Sequence, residues 1–421
     1  MIDFRHMSRR PVSRRRHLSH AAEVARVSGS PATSPAKRTD PTLLRQLNER
    51  SVFEIVRAKG PISRAELARC TGISAPTASK VVATLLDAGL LEQIGSTRSD
   101  RAGRPGKLYR VATGRVQVLG AVIDVRKCCI VSAGLDGKID PSAFSEFATP
   151  RSYEQLIAML ARGALELMKR PKMATLGVGV STPGEIDSRN QRVIESPNLH
   201  ILDGRSPSSD LRRLLGIDAV MFHETVGTCL AEQAYGAARG MSDFVMIGTY
   251  EGFGVSIVSG GRLIQGKDGM AGEMGHITVN LDGEECGCGN RGCLETVATD
   301  PAFARAVSRR VGLSLEIEEI IRRVRRGQLD VTPELSVALD YLAVGIAAAI
   351  NIFNPQAVLV CSRMLDVVPD ALEQLKQRVA RRALAPLAAS CQVVRAEGNT
   401  RRGAIAAILH HLTHALGPSL Q

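Results

Sequence analysis

The chain is predicted to be an α/β protein with a winged helix-turn-helix at its front, and three observations predict it. Residues 1 to 110 hold 21 Lys and Arg against 9 Asp and Glu, a surplus equal to the net +12 of all 421 residues, so the rest is neutral. Inside that basic quarter stand two short helical patterns separated by a glycine turn. From Val116 onward, β-branched runs ending in glycine turns alternate with amphipathic stretches, the pattern of open α/β sheets covered on both faces.

Length bounds the answer to two or three domains, and a hydrophobic fraction of 44% supplies a core for each. The basic N-terminus has no apolar core after it and no run of 18 apolar residues follows, so the expectation is neither a secretory signal nor a membrane span, and a cytoplasmic location. Nine cysteines, several set singly among apolar neighbours (Cys70, Cys129, Cys229, Cys361), fit a reducing compartment better than a disulfide framework.

Residues 1–40 are rich in Arg, Ser and Pro without apolar periodicity and read as a disordered basic extension. Residues 41–112 form the DNA-binding domain. "PTLLRQLNERSVFEIVRAKG" places Leu43, Leu44, Leu47, Val52, Ile55 and Val56 near helical spacing until Gly60 and Pro61 stop it. Ser63 and Glu66 make a capping box for a short helix with Arg64 in its first turn and Ala65, Leu67 and Ala68 expected on the buried side. After the Gly72 turn, Ser74 caps a second helix that carries Pro76 early. Its Ala78, Val81, Val82, Leu85 and Leu86 form one apolar stripe, while Thr77, Ser79, Lys80 and Thr84 face the other way, suited to base edges and phosphates of a major groove. "LLEQIG" and "KLYRVA" then enclose a wing whose tip carries Arg98, Arg101, Arg104 and Lys107. The candidate DNA contacts are Arg64, Ser74, Thr77, Ser79, Lys80 and Arg104, and the partner is a double-stranded operator.

Residues 113–421 are the body, and "ECGCGNRGCLE" is its most unusual stretch. Cys286, Cys288 and Cys293 offer three thiolates on a backbone that glycines let curl, and His276 of "GEMGH" is the expected fourth ligand of a structural zinc ion. A redox pair would need CxxC or a resolving partner, which this spacing does not match, and an inert turn would leave three thiols open to oxidation. Glu273 and Glu295 flank these ligands, and carboxylates beside an imidazole suit sugar hydroxyls. The imidazole could hold the metal through one ring nitrogen and a ligand through the other.

"STPGEID", "ESPNL", "AGEMGH" and "CGCGNRGCLET", in that order behind a winged helix, resemble the ROK family of sugar kinases and sugar-responsive repressors. The likeness runs from about residue 41 to near the C-terminus. It implies a duplicated actin-like or hexokinase-like (ribonuclease H-like) α/β body, a homodimer or homotetramer, and the same His276, Cys286, Cys288, Cys293 zinc set. It also implies a sugar or sugar-derivative effector held by positions matching Asn198, Glu273, His276 and Glu295, with His223 and Glu224 beside them.

The chain departs from the kinases of that family at three places. Arg126, Lys127 and Cys128 follow Asp124 where the kinases carry Gly-Gly-Thr, so side chains stand where backbone N–H groups would meet phosphates. Glu224 replaces the catalytic aspartate, with His223 for the asparagine before it, and a methylene's displacement of about 1 Å can cost roughly 100-fold in rate. Cys361 and Ser362 replace a glycine pair. The expectation is a regulator without kinase activity; the alternatives are an active sugar kinase with an appended DNA module, or a regulator controlled by a protein partner. Arg126 and Lys127 leave room for a phosphorylated effector.

Overall fold

The computed structural model describes residues 41–96, 106–171 and 173–415; the extension over 1–40 and the wing-tip residues Arg98, Arg101 and Arg104 lie outside them. The winged domain opens with α1 (Pro41–Lys59), which buries Val52, Phe53 and Val56. A two-residue strand β1 (Ile62–Ser63) precedes α2 (Arg64–Thr71), and the Ser63–Glu66 capping box is formed in both directions. Leu67 alone is buried on α2. Ala65, expected beside it, is exposed, because two positions on a helix are about 200° apart and cannot share a face. α3 (Ala75–Asp87) takes its cap from Ser74 and buries Ala78, Val81, Val82 and Leu85. β2 (Leu91–Ser96) and β3 (Lys107–Val111) form the wing, and β3 lies between β1 and β2 in one small sheet.

Two five-stranded sheets make the body. The first lobe runs β4 (Val116–Val122), β5 (Lys127–Ala133), β6 (Ile139–Ala148), α4 (Tyr153–Met168), β7 (Ala174–Thr182), a hairpin of β8 (Glu185–Asp187) and β9 (Arg192–Glu195), α5 (Pro207–Leu215), β10 (Asp218–His223) and α6 (Glu224–Tyr235). The second runs β11 (Phe244–Gly248), β12 (Gly254–Ser259), β13 (Arg262–Leu263), α7 (Glu295–Ala298), α8 (Asp300–Val311), α9 (Ile317–Arg325), α10 (Thr332–Phe353), β14 (Ala357–Cys361), α11 (Ala371–Ala380), α12 (Ala385–Ser390) and β15 (Gln392–Arg395). Sheet orders β10-β7-β4-β5-β6 and β13-β12-β11-β14-β15 share one plan: three antiparallel strands, then two parallel to the first. The duplication implied by the resemblance is thus present in the strand order itself.

α10 is long and apolar enough to cross a membrane by length and composition, but more than half of its apolar window is buried inside the second lobe, where it is a core helix. The last helix, α13 (Thr400–Ala415), returns to the first lobe and packs on β4, β7 and α6. α6 and α13 cross where Gly227 meets Gly403: a Cβ on Gly403 would stand 2.8 Å from the Gly227 carbonyl carbon. The winged domain does not hang free. Val52, Val56 and Tyr109 share one hydrophobic cluster with Val118, Val131, Ile405 and Ile408, and Arg57 of α1 bonds the hydroxyl of Tyr235, the last residue of α6, at 3.1 Å while lying over its ring.

Gly403→Val forces the two backbones apart and is expected to lower unfolding stability by about 1–3 kcal/mol in a denaturant titration, the usual cost of overpacking; an unchanged midpoint would show the crossing to be slack.

Candidate functional site

The loop between β13 and α7 folds on glycines. Gly292, at φ 69°, passes so close to Asn280 that a Cβ would lie 1.6 Å from its carbonyl oxygen. This curl and the bridge pairing Thr278 with Cys293 bring the ligand atoms of His276, Cys286, Cys288 and Cys293 within 4.8 Å of one another. The Cys288 and Cys293 sulfurs are 3.8 Å apart, and Cys286 Sγ is 3.6 Å from His276 Nδ1. Tetrahedral zinc with bonds of about 2.3 Å to sulfur and 2.0 Å to nitrogen has edges of about these lengths, so the four residues fit a metal ion. Cys286 and Cys293 are buried and Cys288 is exposed. Burial pushes the Cys286 thiol up to about 12 and raises Cys293 as well; a central cation is what would make thiolates of them. His276 turns Nδ1 to the sulfurs and Nε2 toward Glu273, 3.8 Å away.

That Nε2 edge opens on a cavity of about 340 Å³ between the lobes, of a size for a monosaccharide-scale ligand. Asn198, His223, Glu224, Glu273, His276 and Glu295 all line it, so the fold gathers residues 97 positions apart in the chain. Several elements set them, Glu273 and His276 sharing one short turn. Glu295, at the start of α7, accepts from the Phe253 N–H at 2.9 Å. Desolvation raises Glu273. His223 caps α6, its Nδ1 accepting from the Thr225 N–H at 3.2 Å, which assigns the ring proton to Nε2 and makes that atom a donor. The sequence reading missed Glu185, Glu251 and Arg305, which also line the cavity. Glu185 stood in a recognised motif, whereas Glu251 and Arg305 carry no local signature.

Near Glu224, whose carboxyl Asp124 acts on, lies the turn between β4 and β5. Arg126 bonds Glu316 of the opposite lobe at 2.5 Å, Lys127 bonds Glu146 at 3.0 Å, and neither lines the cavity. The two cations that left room for a phosphorylated effector are therefore paired elsewhere. Ser362 donates to the buried Asp300 at 2.7 Å, and Asp300 also accepts from Thr249 Oγ1 and the N–H groups of Arg363 and Met364.

On the winged domain, Lys80 is exposed, while Thr77 and Ser79 are half-buried on the same helix. Ser74 and Thr77 share a hydroxyl contact at 2.8 Å within the cap. Arg64 lies over the Tyr109 ring, 5.2 Å from its centre. Arg104 falls outside the described residues.

A winged helix packed on a duplicated, kinase-like pair of sheets with a ligand-sized cleft defines a class of protein. Its ROK family model matches residues 127–412, and a MarR family model matches residues 50–104. The chain belongs to the ROK family. It is 26% identical to the xylose repressor of Bacillus subtilis over 357 residues, 84% of this chain and 92% of that protein. It is 25% identical to the DNA-binding transcriptional dual regulator NagC of Escherichia coli over 368 residues, 84% of this chain and 90% of that one. A solved ROK family transcriptional regulator, a homologue of the E. coli MLC protein, superposes with a TM-score of 0.77 at 23% identity, covering 89% of this chain and 98% of its own. A ROK glucokinase from Streptomyces griseus gives 0.62 at 23% identity over 70% of this chain and 98% of its own.

Two predictions follow from the geometry. Cys293→Ser is expected to take bound zinc from one ion per chain to well below one by elemental analysis, with a lowered unfolding temperature, since structural zinc in small peptide sites is worth roughly 10–16 kcal/mol of apparent binding. The second concerns pH. Burial raises Glu224 to about 7, with Asp124 and Glu251 adding to the rise, so the fold favours its neutral form. That contribution is fully present below the ordinary glutamate range and is lost as pH rises through about 7. His223, lowered to about 4 by burial, contributes in the opposite sense, present above the ordinary histidine range and lost as pH falls through about 4. Glu224→Gln is therefore expected to raise the unfolding midpoint at pH 8, by about 1 °C per kcal/mol gained in a chain of this length, and to leave it unchanged near pH 4 in calorimetric scans.

Proposed function

We propose that the chain is a sequence-specific DNA-binding transcriptional regulator, a repressor of carbohydrate uptake or catabolism genes, whose sugar or sugar-derivative effector binds in the interlobe cavity. One observation carries the reading: α6 begins at the cavity with His223 and Glu224 and ends on α1 of the winged domain with Tyr235. Its 12 residues make a rod about 18 Å long. An effector that rearranges the first turn of α6 thereby moves the seat of the DNA-binding domain. The relatives' names, xylose repressor and NagC, support the same class.

In this reading His276, Cys286, Cys288 and Cys293 hold a structural zinc ion. With four protein ligands it has no open position for hydrolysis and serves to fix the imidazole. Asn198, Glu273, His276 and Glu295 hold sugar hydroxyls, His223 donates through Nε2, and Glu224 accepts or donates according to its proton. Arg64, Ser74, Thr77, Ser79, Lys80 and Arg104 meet the operator. In this reading the chain does not act as a kinase, which the side chains of Arg126 and Lys127, paired with Glu316 and Glu146 at the turn after Asp124, support. It acts in the cytoplasm, in keeping with nine free cysteines. A homodimer places two recognition helices on a palindromic operator, and α10 offers an exposed stripe for pairing at Val337, Val344 and Ile352, with the half-buried Tyr341 and Ala348 between them.

The full chain is expected to bind its own upstream intergenic duplex more tightly than random duplex. Lys80→Ala is expected to weaken binding and to reduce the log-log salt slope by about 0.9, the increment for one neutralised phosphate. Equal affinity for both duplexes overturns the reading.

A further inference from the structure

We propose that the effector is an amino sugar with a free, protonated amine and no phosphate, its ammonium group set against the carboxylates of Glu224 and Glu251. This rests on the reading of the cavity as a sugar site. The first argument is the sign of the lining. Seven glutamates line the cavity, one of them, Glu285, paired with Arg291, against one arginine, Arg305, and no lysine. The cations at the neighbouring turn redress this only in part: Lys127 is bonded to Glu146, and Arg126, bonded to Glu316, also acts on Glu251. Nor does a metal: a divalent ion held by three thiolates and an imidazole leaves that corner with one negative charge. A phosphate dianion would enter a low-dielectric cleft of its own sign, which desolvation makes more repulsive than water would.

The second argument is local. Glu295 already accepts from the Phe253 N–H and Glu273 faces His276, whereas the side chains of Glu224 and Glu251 have no hydrogen-bonding or ion-pair partner among the described residues. They approach the cavity from different lobes, Glu224 from the start of α6 and Glu251 from the turn between β11 and β12, with Asp124 behind them. Desolvation raises both carboxyl groups, Asp124 adds to each and Glu251 adds to Glu224, while Arg126 offsets part of the rise at Glu251; a neutral hydroxyl relieves this arrangement only in part. An ammonium group supplies three donors and the missing positive charge together. The apolar wall of Phe222, Val226, Leu263 and Met270 leaves the rest of the cavity for the carbon face of a sugar ring.

The test is calorimetric titration of the full chain with D-glucose, D-glucosamine, N-acetyl-D-glucosamine and D-glucosamine 6-phosphate, and with the same four forms in the galacto and manno configurations. In any configuration that binds, the free amine is expected to bind at least tenfold more tightly than the N-acetyl form, with the 6-phosphate weaker still. Glu251→Gln is expected to shrink the amine-to-hydroxyl affinity ratio. An N-acetyl, hydroxyl or 6-phosphate form that equals or exceeds the amine overturns the proposal while leaving the sugar site standing. Absence of binding by every form removes the sugar site as well.

Discussion

The constraint on which the rest depends is the seating of α6. Its first residues stand in the cleft, its middle is pressed against α13 at the Gly227–Gly403 crossing, and its last residue lies under Arg57. Near its C-terminal end the buried Glu232 accepts from the N–H groups of Ala237 and Gly398, one on each of the two strands of chain that pass between the lobes. Cavity, lobe hinge and winged domain thus meet on one rigid element. Close-packed contacts of this kind repack in discrete arrangements, not by gradual strain, which is what a two-state regulator requires.

The two sides of the cleft are furnished differently. On one side the ligand atoms of His276, Cys286, Cys288 and Cys293 gather within 4.8 Å of one another, and Glu273 stands 3.8 Å from the imidazole. On the other, Arg126 reaches across to Glu316 of the second lobe, and Ser362 is tied into the Asp300 network. The Arg126–Glu316 pair is well exposed, so it contributes little to stability. It nevertheless joins the turn between β4 and β5 to the second lobe.

Much of this was legible in the sequence. The capping box at Ser63, the stripe on α3 and the long buried strands announce themselves through period and caps, and the cysteine cluster through spacing. The edge strands were less legible: β6 contains Pro141 and polar residues and β15 is four residues long, so neither shows the alternation of a half-buried strand, and β1 is too short to have a period. In the site, Glu273, His276 and Glu295 could be found because motifs carry them. Glu251 and Arg305 could not, since their roles come from where the turn of β11 and the body of α8 are carried in space. The bond from Arg57 to Tyr235 spans 178 positions and leaves no trace in local pattern.

If pocket and operator are coupled through α6, the coupling is reciprocal: an effector that changes DNA affinity by some factor must have its own affinity changed by the same factor when DNA is bound. The direct measurement is calorimetric titration of a binding sugar into the full chain, alone and saturated with its upstream duplex. The account predicts affinities that differ by about 5- to 150-fold, the usual range of allosteric coupling, matched by the change in DNA affinity at saturating sugar. Equal sugar affinities in the two titrations would contradict it.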